Sequence, residues 1–454
     1  MTNTASLPIG LDESRLRFRV ISLAWPVIAE ETFTTLVGLA SAMMVGHLGA
    51  AALAGVGLAT QALWFPEVTI VGVSVGATAV IARRIGAGRR REAGEALHQS
   101  ILIAAVIALV FVPALWFLAD EVMILMQAKD DVIALGTVYL RAGTPGLVPA
   151  LIMFAGNAAM RGAGDTRTPM LIMIAANVTN IAVGYVLIYG LPGLPALGVL
   201  GAGVASSIAW SLGCFLVMIA LSRGSGRLHY QFKRALTFDL KTASRILNVG
   251  FPAGMEQLQF QLAFTLYSVI ISALGTTVFA AHTVALRVEN IAFMPGFGLG
   301  VAATTLVGQA LGAGRPDLAE RAAKIAQWYA IALMSAAGVL MGLCRHQLVA
   351  VFVDDPAVID IGALGIVIYA LSLPMMGTSN CLAGSLRGAG DTRTVMFVMT
   401  AGAWLIRLPF AYALAYWAGF GAAGAWTAAV LDINMRGLLL WWRFGAGRWK
   451  AIRV

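Results

Sequence analysis

Charge is scarce in this sequence: Asp, Glu, Lys and Arg make up 12% of its 454 residues, against about 25% in an ordinary soluble domain. A soluble fold is disfavoured further by a 59% hydrophobic content and a mean hydropathy of +0.83. Cysteine is nearly missing. Cys214, Cys344 and Cys381 stand far apart and form neither a disulfide framework nor a metal-ligand spacing, so they read as small buried apolar side chains. The five histidines, His47, His98, His229, His282 and His346, make no ligand motif and accompany no nucleophile–base set, which leaves a membrane enzyme without its chemistry. GAGDTR and GAGR are not GxxxxGK[ST] and follow no strand, so direct ATP driving is disfavoured. No filter-like motif favours a channel. The start, MTNTASLPIGLDESRLRFR, lacks a short apolar core and cleavage site, so the first helix is expected to be retained.

What the sequence has instead is repeated apolar runs, each long enough to cross a bilayer at roughly 20 residues. Helices are expected at about 18–45, 52–82, 96–118, 132–156, 168–190 and 196–221, then at 245–271, 279–309, 323–348, 358–383, 394–417 and 421–443. Fifty glycines fit membrane helices, where small residues let backbones approach closely. Basic residues gather in alternate connections, such as Arg83, Arg84, Arg89, Arg90 and Arg91, or Arg223, Arg227, Lys233, Arg234, Lys241 and Arg245. The opposite connections carry Asp120, Glu121, Asp130, Asp131, Asp354, Asp355 and Asp360. The positive-inside rule then places both termini in the cytoplasm. The formal charge of +9 is therefore an orientation signal that meets anionic lipid head groups, with no nucleic-acid footprint.

RGAGDTRT occurs at 161–168 and again at 387–394, a shift of 226. The same shift pairs Pro26 with Pro252, Glu30 with Glu256, and Gly72 with Gly298. The fold class expected is all-α and polytopic: twelve transmembrane helices in two six-helix bundles related by a pseudo-twofold along the membrane normal, an architecture suited to alternating access by rocking. The parts are a cytoplasmic N-terminal tail (1–17), an N-lobe (18–221), a cytoplasmic inter-lobe linker (222–244), a C-lobe (245–443) and a cytoplasmic C-terminal tail (444–454). One chain holding both lobes can function as a monomer. The two RGAGDTR connections read as tight helix links, with Asp165–Arg167 and Asp391–Arg393 as candidate latches on the cytoplasmic side.

An ionisable residue at membrane depth calls for a partner, a cavity or a transport step. At about 1.5 Å of rise per residue, Glu30 lies roughly 18 Å along the first helix and Glu67 roughly 21–23 Å along the second. Glu30, Glu67, Glu256 and Glu31 are the candidate ion-coupling acids; structural hydrogen bonding near Pro26 is the competing reading of Glu30. Glu256, Glu289 and Asp432 are balanced by Arg287, Arg407 and Arg436, whereas the first lobe offers only Arg141 against its three acids. Tyr267, His282 and the C-lobe ions are candidate substrate-cavity or internal ion-pair residues. Aromatic residues such as Phe260 and Tyr267 suit an organic-cation cavity as well as plain helix packing.

The segments WPVIAEE (25–31), MMVGHLGAAALAGVG (43–57), GATAVIARRIGAGRRREAGEA (76–96), MRGAGDTRTPM (160–170), VGFPAGMEQ (249–257) and LRGAGDTRT (386–394) together resemble the multidrug and toxic compound extrusion (MATE) family, bacterial branch, over about residues 18–445. The resemblance implies efflux of varied, often cationic, organic compounds against H⁺ or Na⁺, with no further cofactor, in a bacterial inner membrane. Pro252 and Glu256 match the family's proline and acid of the seventh helix. Two departures stand in the first lobe: relatives often carry Asp where this chain has Ser41 and Gly184, leaving Asn177 and Asn180 as polar partners. Alternative functions are a flippase for a lipid-linked precursor, an exporter of a narrow endogenous metabolite, and a noncatalytic membrane scaffold.

Overall fold

The computed structural model describes residues 15–126, 129–193, 195–224, 228–230 and 237–452. Most of the N-terminal tail, the linker positions Arg227, Lys233 and Arg234, and Arg453 lie outside the described residues. The architecture is all-helical: α1 (Leu16–Gly46), α2 (Ala50–Gly86), α3 (Arg90–Phe117), α4 (Asp130–Ala163), α5 (Arg167–Tyr189), α6 (Val199–Ser222), α7 (Leu240–Ser272), α8 (Thr276–Gly312), α9 (Pro316–Leu343), α10 (Pro356–Ala370 continued by Leu373–Ala389), α11 (Thr392–Trp417) and α12 (Gly421–Gly445). Short helices Ala119–Leu125 and Arg345–Ala350 precede α4 and α10 at equivalent places in the repeat.

Nine of these helices are apolar and long enough to cross a membrane among the described residues, and α10, bent by 50°, makes a tenth. The remaining two, α7 and α12, have 33 and 25 residues. Their hydropathy is lowered by Gln257, Gln259 and Gln261 in α7 and by Asp432, Asn434 and Arg436 in α12. Large apolar side chains such as Phe117, Leu125, Trp328, Leu343 and Trp417 face outward, as a lipid-solvated surface requires. α11 contains two π-helical stretches, Gly402–Arg407 and Ala413–Trp417, a feature frequent at functional sites.

The fourth and tenth helices end later than hydropathy indicates. α4 runs to Ala163 and α10 to Ala389, so the first arginine of each RGAGDTRT copy belongs to the last helical turn rather than to a loop. Each helix then stops on a left-handed glycine, Gly164 (φ 91°) or Gly390 (φ 88°). The amides of Asp165 and Asp391 bond back to the carbonyls of Met160 and Leu386 at 2.9 and 2.8 Å, the hydrogen-bonded C-cap that glycine permits. At the start of α7, the Thr242 hydroxyl and the Lys241 amide bond to Asp239 and hold its carboxyl below the usual carboxylate range.

The chain forms two compact units. One comprises the described residues up to Ile28, Ala82–Gly88 and the described residues from Met255; the other comprises Ala29–Ile81 and Arg89–Gly254. In this partition the first turns of α1 and the last of α2 pack with the second half of the chain, and the start of α7 packs with the first. In the first unit Leu16, Val20, Leu23 and Ala24 join a core with Leu299, Ala302 and Leu306. Equivalent contacts recur in both units. Thr78 donates to the Ala158 carbonyl at 3.0 Å and Thr304 to the Gly384 carbonyl at 2.9 Å, pairs separated by the repeat offset.

Glycine sets how closely α2 and α7 approach. A Cβ on Gly72 would lie 2.8 Å from the Gly250 carbonyl oxygen and 3.2 Å from the Gly254 backbone. Gly72→Ala is expected to destabilise the protein by about 1–3 kcal/mol, the usual cost of overpacking, seen as a lower melting temperature in detergent. Gly57→Ala on the same helix, with nothing within 4 Å, should leave melting unchanged or raise it.

Candidate functional site

Four residues after its helix proline, each half of the chain buries a glutamate: Glu30 on α1 and Glu256 on α7. Apolar surroundings make an uncompensated carboxylate costly. Arg161, in the last turn of α4, donates to Glu30, and Arg387, in the last turn of α10, donates to Glu256 at 2.5 Å. Both pairs span 131 residues, so the repeat reproduces the contact itself. In each glutamate Oε1 takes the guanidinium, while Oε2 is buried and accepts no hydrogen bond among the described residues. The arginines were missed from sequence because the helices extend farther than their apolar stretches; the identical spacing of the two Glu…RGAGDTRT segments was the available signal.

Arg141, the base expected to offset the first-lobe acids, instead donates to Asp120 at 2.8 Å and to the Trp116 carbonyl at the end of α3. Glu31 is half-buried within the field of Arg161 and Glu30. Glu67 is half-buried and has no hydrogen-bonding or ionic partner among the described residues. The latch residues are arranged differently from expectation. Asp165 accepts from the Thr168 amide and hydroxyl at 3.0 and 2.7 Å, capping α5. Asp391 accepts from the Thr394 hydroxyl at 2.7 Å and from Arg443 of α12 at 2.8 Å. Arg167 and Arg393 are exposed. Asp165 meets an orphan backbone donor at its helix start, and Asp391 is taken by Thr394 and Arg443, so neither Asp pairs with its neighbouring arginine.

Farther along α1, a neutral network occupies the positions where a carboxylate pair was noted as missing. Ser41 donates to Asn180 Oδ1 at 3.2 Å, and Asn180 Nδ2 donates to Ser206 Oγ at 3.2 Å. Asn177 donates to Thr34 at 3.0 Å. A Cβ on Gly184 would meet only Met44 and Ala205 side chains, at 3.6 and 3.7 Å. These groups bind each other and supply no charge.

The C-lobe interior is charged. Asp432, fully buried, accepts from Arg407 Nε at 2.8 Å and from Arg436 through both carboxylate oxygens. The Arg407 guanidinium lies 5.8 Å from the Phe260 ring centroid and 5.6 Å from that of Tyr267; Arg436 lies 5.5 Å from Phe260. Those ring faces therefore meet internal cations. Tyr267 also donates to the Ala425 carbonyl at 2.9 Å. Glu289 is buried in the field of Arg407 without a hydrogen bond to it. Arg287 is exposed and takes no part in the balance assigned to it. The third base there is Arg387. His282 accepts at Nδ1 from Trp426 Nε1 at 3.2 Å, the hydrogen bond of a neutral ring packed edge-on to Tyr267.

Both halves of the chain, and the glutamates at their equivalent positions, fall within or beside matched family segments: the family model described as MatE matches residues 26–186 and 252–413. The chain belongs to the MatE family. A probable multidrug resistance protein NorM of Thermotoga maritima is 31% identical over 437 residues, 96% of this chain and 93% of that protein. The multidrug resistance protein PmpM of Pseudomonas aeruginosa is 30% identical, covering 99% and 96%. A MATE crystal structure in complex with MaD3S superposes with a TM-score of 0.90 at 22% identity, covering 98% and 99%. An outward-facing MATE family transporter matches at 0.89, with 22% identity and the same coverage. The protein is thus an integral membrane MATE transporter with the two-lobe, twelve-helix fold.

In this MATE protein, Arg161→Gln leaves Glu30 buried without its partner, a loss that typically costs about 3–5 kcal/mol. It should lower the melting temperature of the purified protein, and Glu30→Gln added to it should restore most of the loss. A double variant no more stable than Arg161→Gln would sink the pairing.

Proposed function

We propose that this protein exports amphipathic organic compounds, organic cations among them, by antiport against protons, with Glu30 and Glu256 as the coupling groups. The observation that carries the reading is the repeated buried Glu–Arg pair. A carboxylate held by a guanidinium has two exclusive states: ionised and bonded to arginine, or protonated and released. Proton uptake thus changes a contact between α1 and α4, or between α7 and α10, and gives a two-state element that an ion gradient can bias. Sodium coupling is the second outcome to be tested. A hard cation prefers several oxygen ligands, and one oxygen of each paired glutamate is already engaged by arginine.

The names of the relatives, multidrug resistance proteins, support a broad substrate range, and the basic connections support cytoplasmic termini in a bacterial inner membrane. The single chain contains both lobes, which supports action as a monomer in contact with lipid.

The test uses purified protein in liposomes, with a fluorescent organic cation and separately imposed H⁺ and Na⁺ gradients. Wild type should expel the cation under the proton gradient alone. Glu30→Gln and Glu256→Gln should each reduce that flux at least tenfold, on the order of the effect of removing a positioned proton carrier. Flux that follows only Na⁺, or is unchanged in both variants, overturns this coupling. Absence of flux under either gradient would favour a lipid-precursor flippase or a narrow metabolite exporter.

A further inference from the structure

The Asp432 cluster contains one acid and two arginines, and one of the arginines is incompletely used. Arg436 spends its Nε and Nη2 on the two oxygens of Asp432, and its Nη1 approaches Met399 Sδ at 3.7 Å. Arg407 donates to Asp432 only through Nε. No protein acceptor takes either of its Nη atoms among the described residues. Side-chain exposure is 9% for Arg407, 7% for Arg436 and none for Asp432, so what little of the cluster is accessible lies on the arginines. The Phe260 and Tyr267 rings lie 5.8 and 5.6 Å from the Arg407 guanidinium. Its end-on edge presents two parallel N–H vectors, the geometry that matches a planar carboxylate. Glu289 shares the field of Arg407 but does not occupy that edge.

We propose that the end-on edge of Arg407 is a binding site for the carboxylate of an amphipathic solute, anionic or zwitterionic, carried by this transporter. The assignment rests on the export reading above and refines its substrate class. The cationic solutes favoured by the family resemblance would meet two arginines here and would have to bind elsewhere. Solutes bearing a carboxylate gain a charge-assisted pair in a low-dielectric setting. Glu289 competes for the same guanidinium, so its removal should strengthen carboxylate binding.

Binding is measured by fluorescence on the purified, detergent-solubilised full chain with three probes: a coumarin carboxylate, its methyl ester, and a coumarin bearing a trimethylammonium group. Wild type should bind the carboxylate about tenfold more tightly than the ester, as expected for a hydrogen bond to a charged group. Arg407→Gln should abolish that preference while ester affinity stays constant, and Glu289→Gln should increase it. Equal wild-type binding of acid and ester, or weakening of all probes alike in Arg407→Gln, overturns the site. Should Arg407→Gln fail to fold, Glu289→Gln decides: unchanged carboxylate affinity refutes the proposal. The same probes in liposomes separate the two readings. Proton-driven export of the ammonium probe without any carboxylate preference removes this site and keeps the export function. Selective carboxylate binding without export of any probe keeps the site and counts against the export function.

Discussion

A carboxylate inside an apolar helix bundle must find a counter-charge or remain protonated, and this constraint organises the interior of both lobes. Glu30 and Glu256 receive theirs from arginines on helices that outlast their apolar stretches by about two turns. The extension ends only where Gly164 and Gly390 turn left-handed. Helix length, glycine cap and ion pair are therefore one device: stopping the helix earlier would leave the arginine outside reach and the glutamate unbalanced. The aspartate after each glycine serves the next helix, so a single eight-residue motif closes one helix, neutralises a buried acid and starts another.

Close backbone approach is the second constraint. Between lipid-solvated helices there is little hydrophobic force to gain, so packing relies on small residues and on hydrogen bonds to exposed carbonyls. Gly72 beside Gly250 and the threonine bonds from Thr78 and Thr304 illustrate both means. Because these contacts recur at one offset, each half of the chain solves the same packing problem with the same residue types. Ion pairs placed in such a frame keep their geometry without large side chains around them.

The halves differ in what they do with the remaining polar positions. Ser41, Asn180 and Ser206 satisfy one another without charge, whereas Asp432, Arg407 and Arg436 form a charged cluster roofed by Phe260 and Tyr267. A charged cluster with one guanidinium edge unpaired among the described residues favours solutes of opposite charge. On the proposed reading, proton-sensitive pairs sit in both lobes and charge recognition in one, so coupling and selectivity need not reside in the same residues.

Much of this was legible in the amino-acid order. Hydropathy and the 226-residue repeat determine the all-helical, two-lobe membrane fold, because apolar length and repetition are properties of the chain alone. Proline spacing singles out Glu30 and Glu256 for the same reason. Partnership was decided in three dimensions. Arg161 replaced Arg141 because α4 continues into a segment that reads as a loop, and Arg287 left the C-lobe balance because its side chain is exposed rather than set among the buried acids. The two compact units likewise mix the ends of α1, α2 and α7 across the sequence halves, since a membrane helix more than 30 residues long can pack one end with one unit and the other end with another. Sequence supplies charges and their spacing, but rotation about each helix axis and the true helix end select which charges meet.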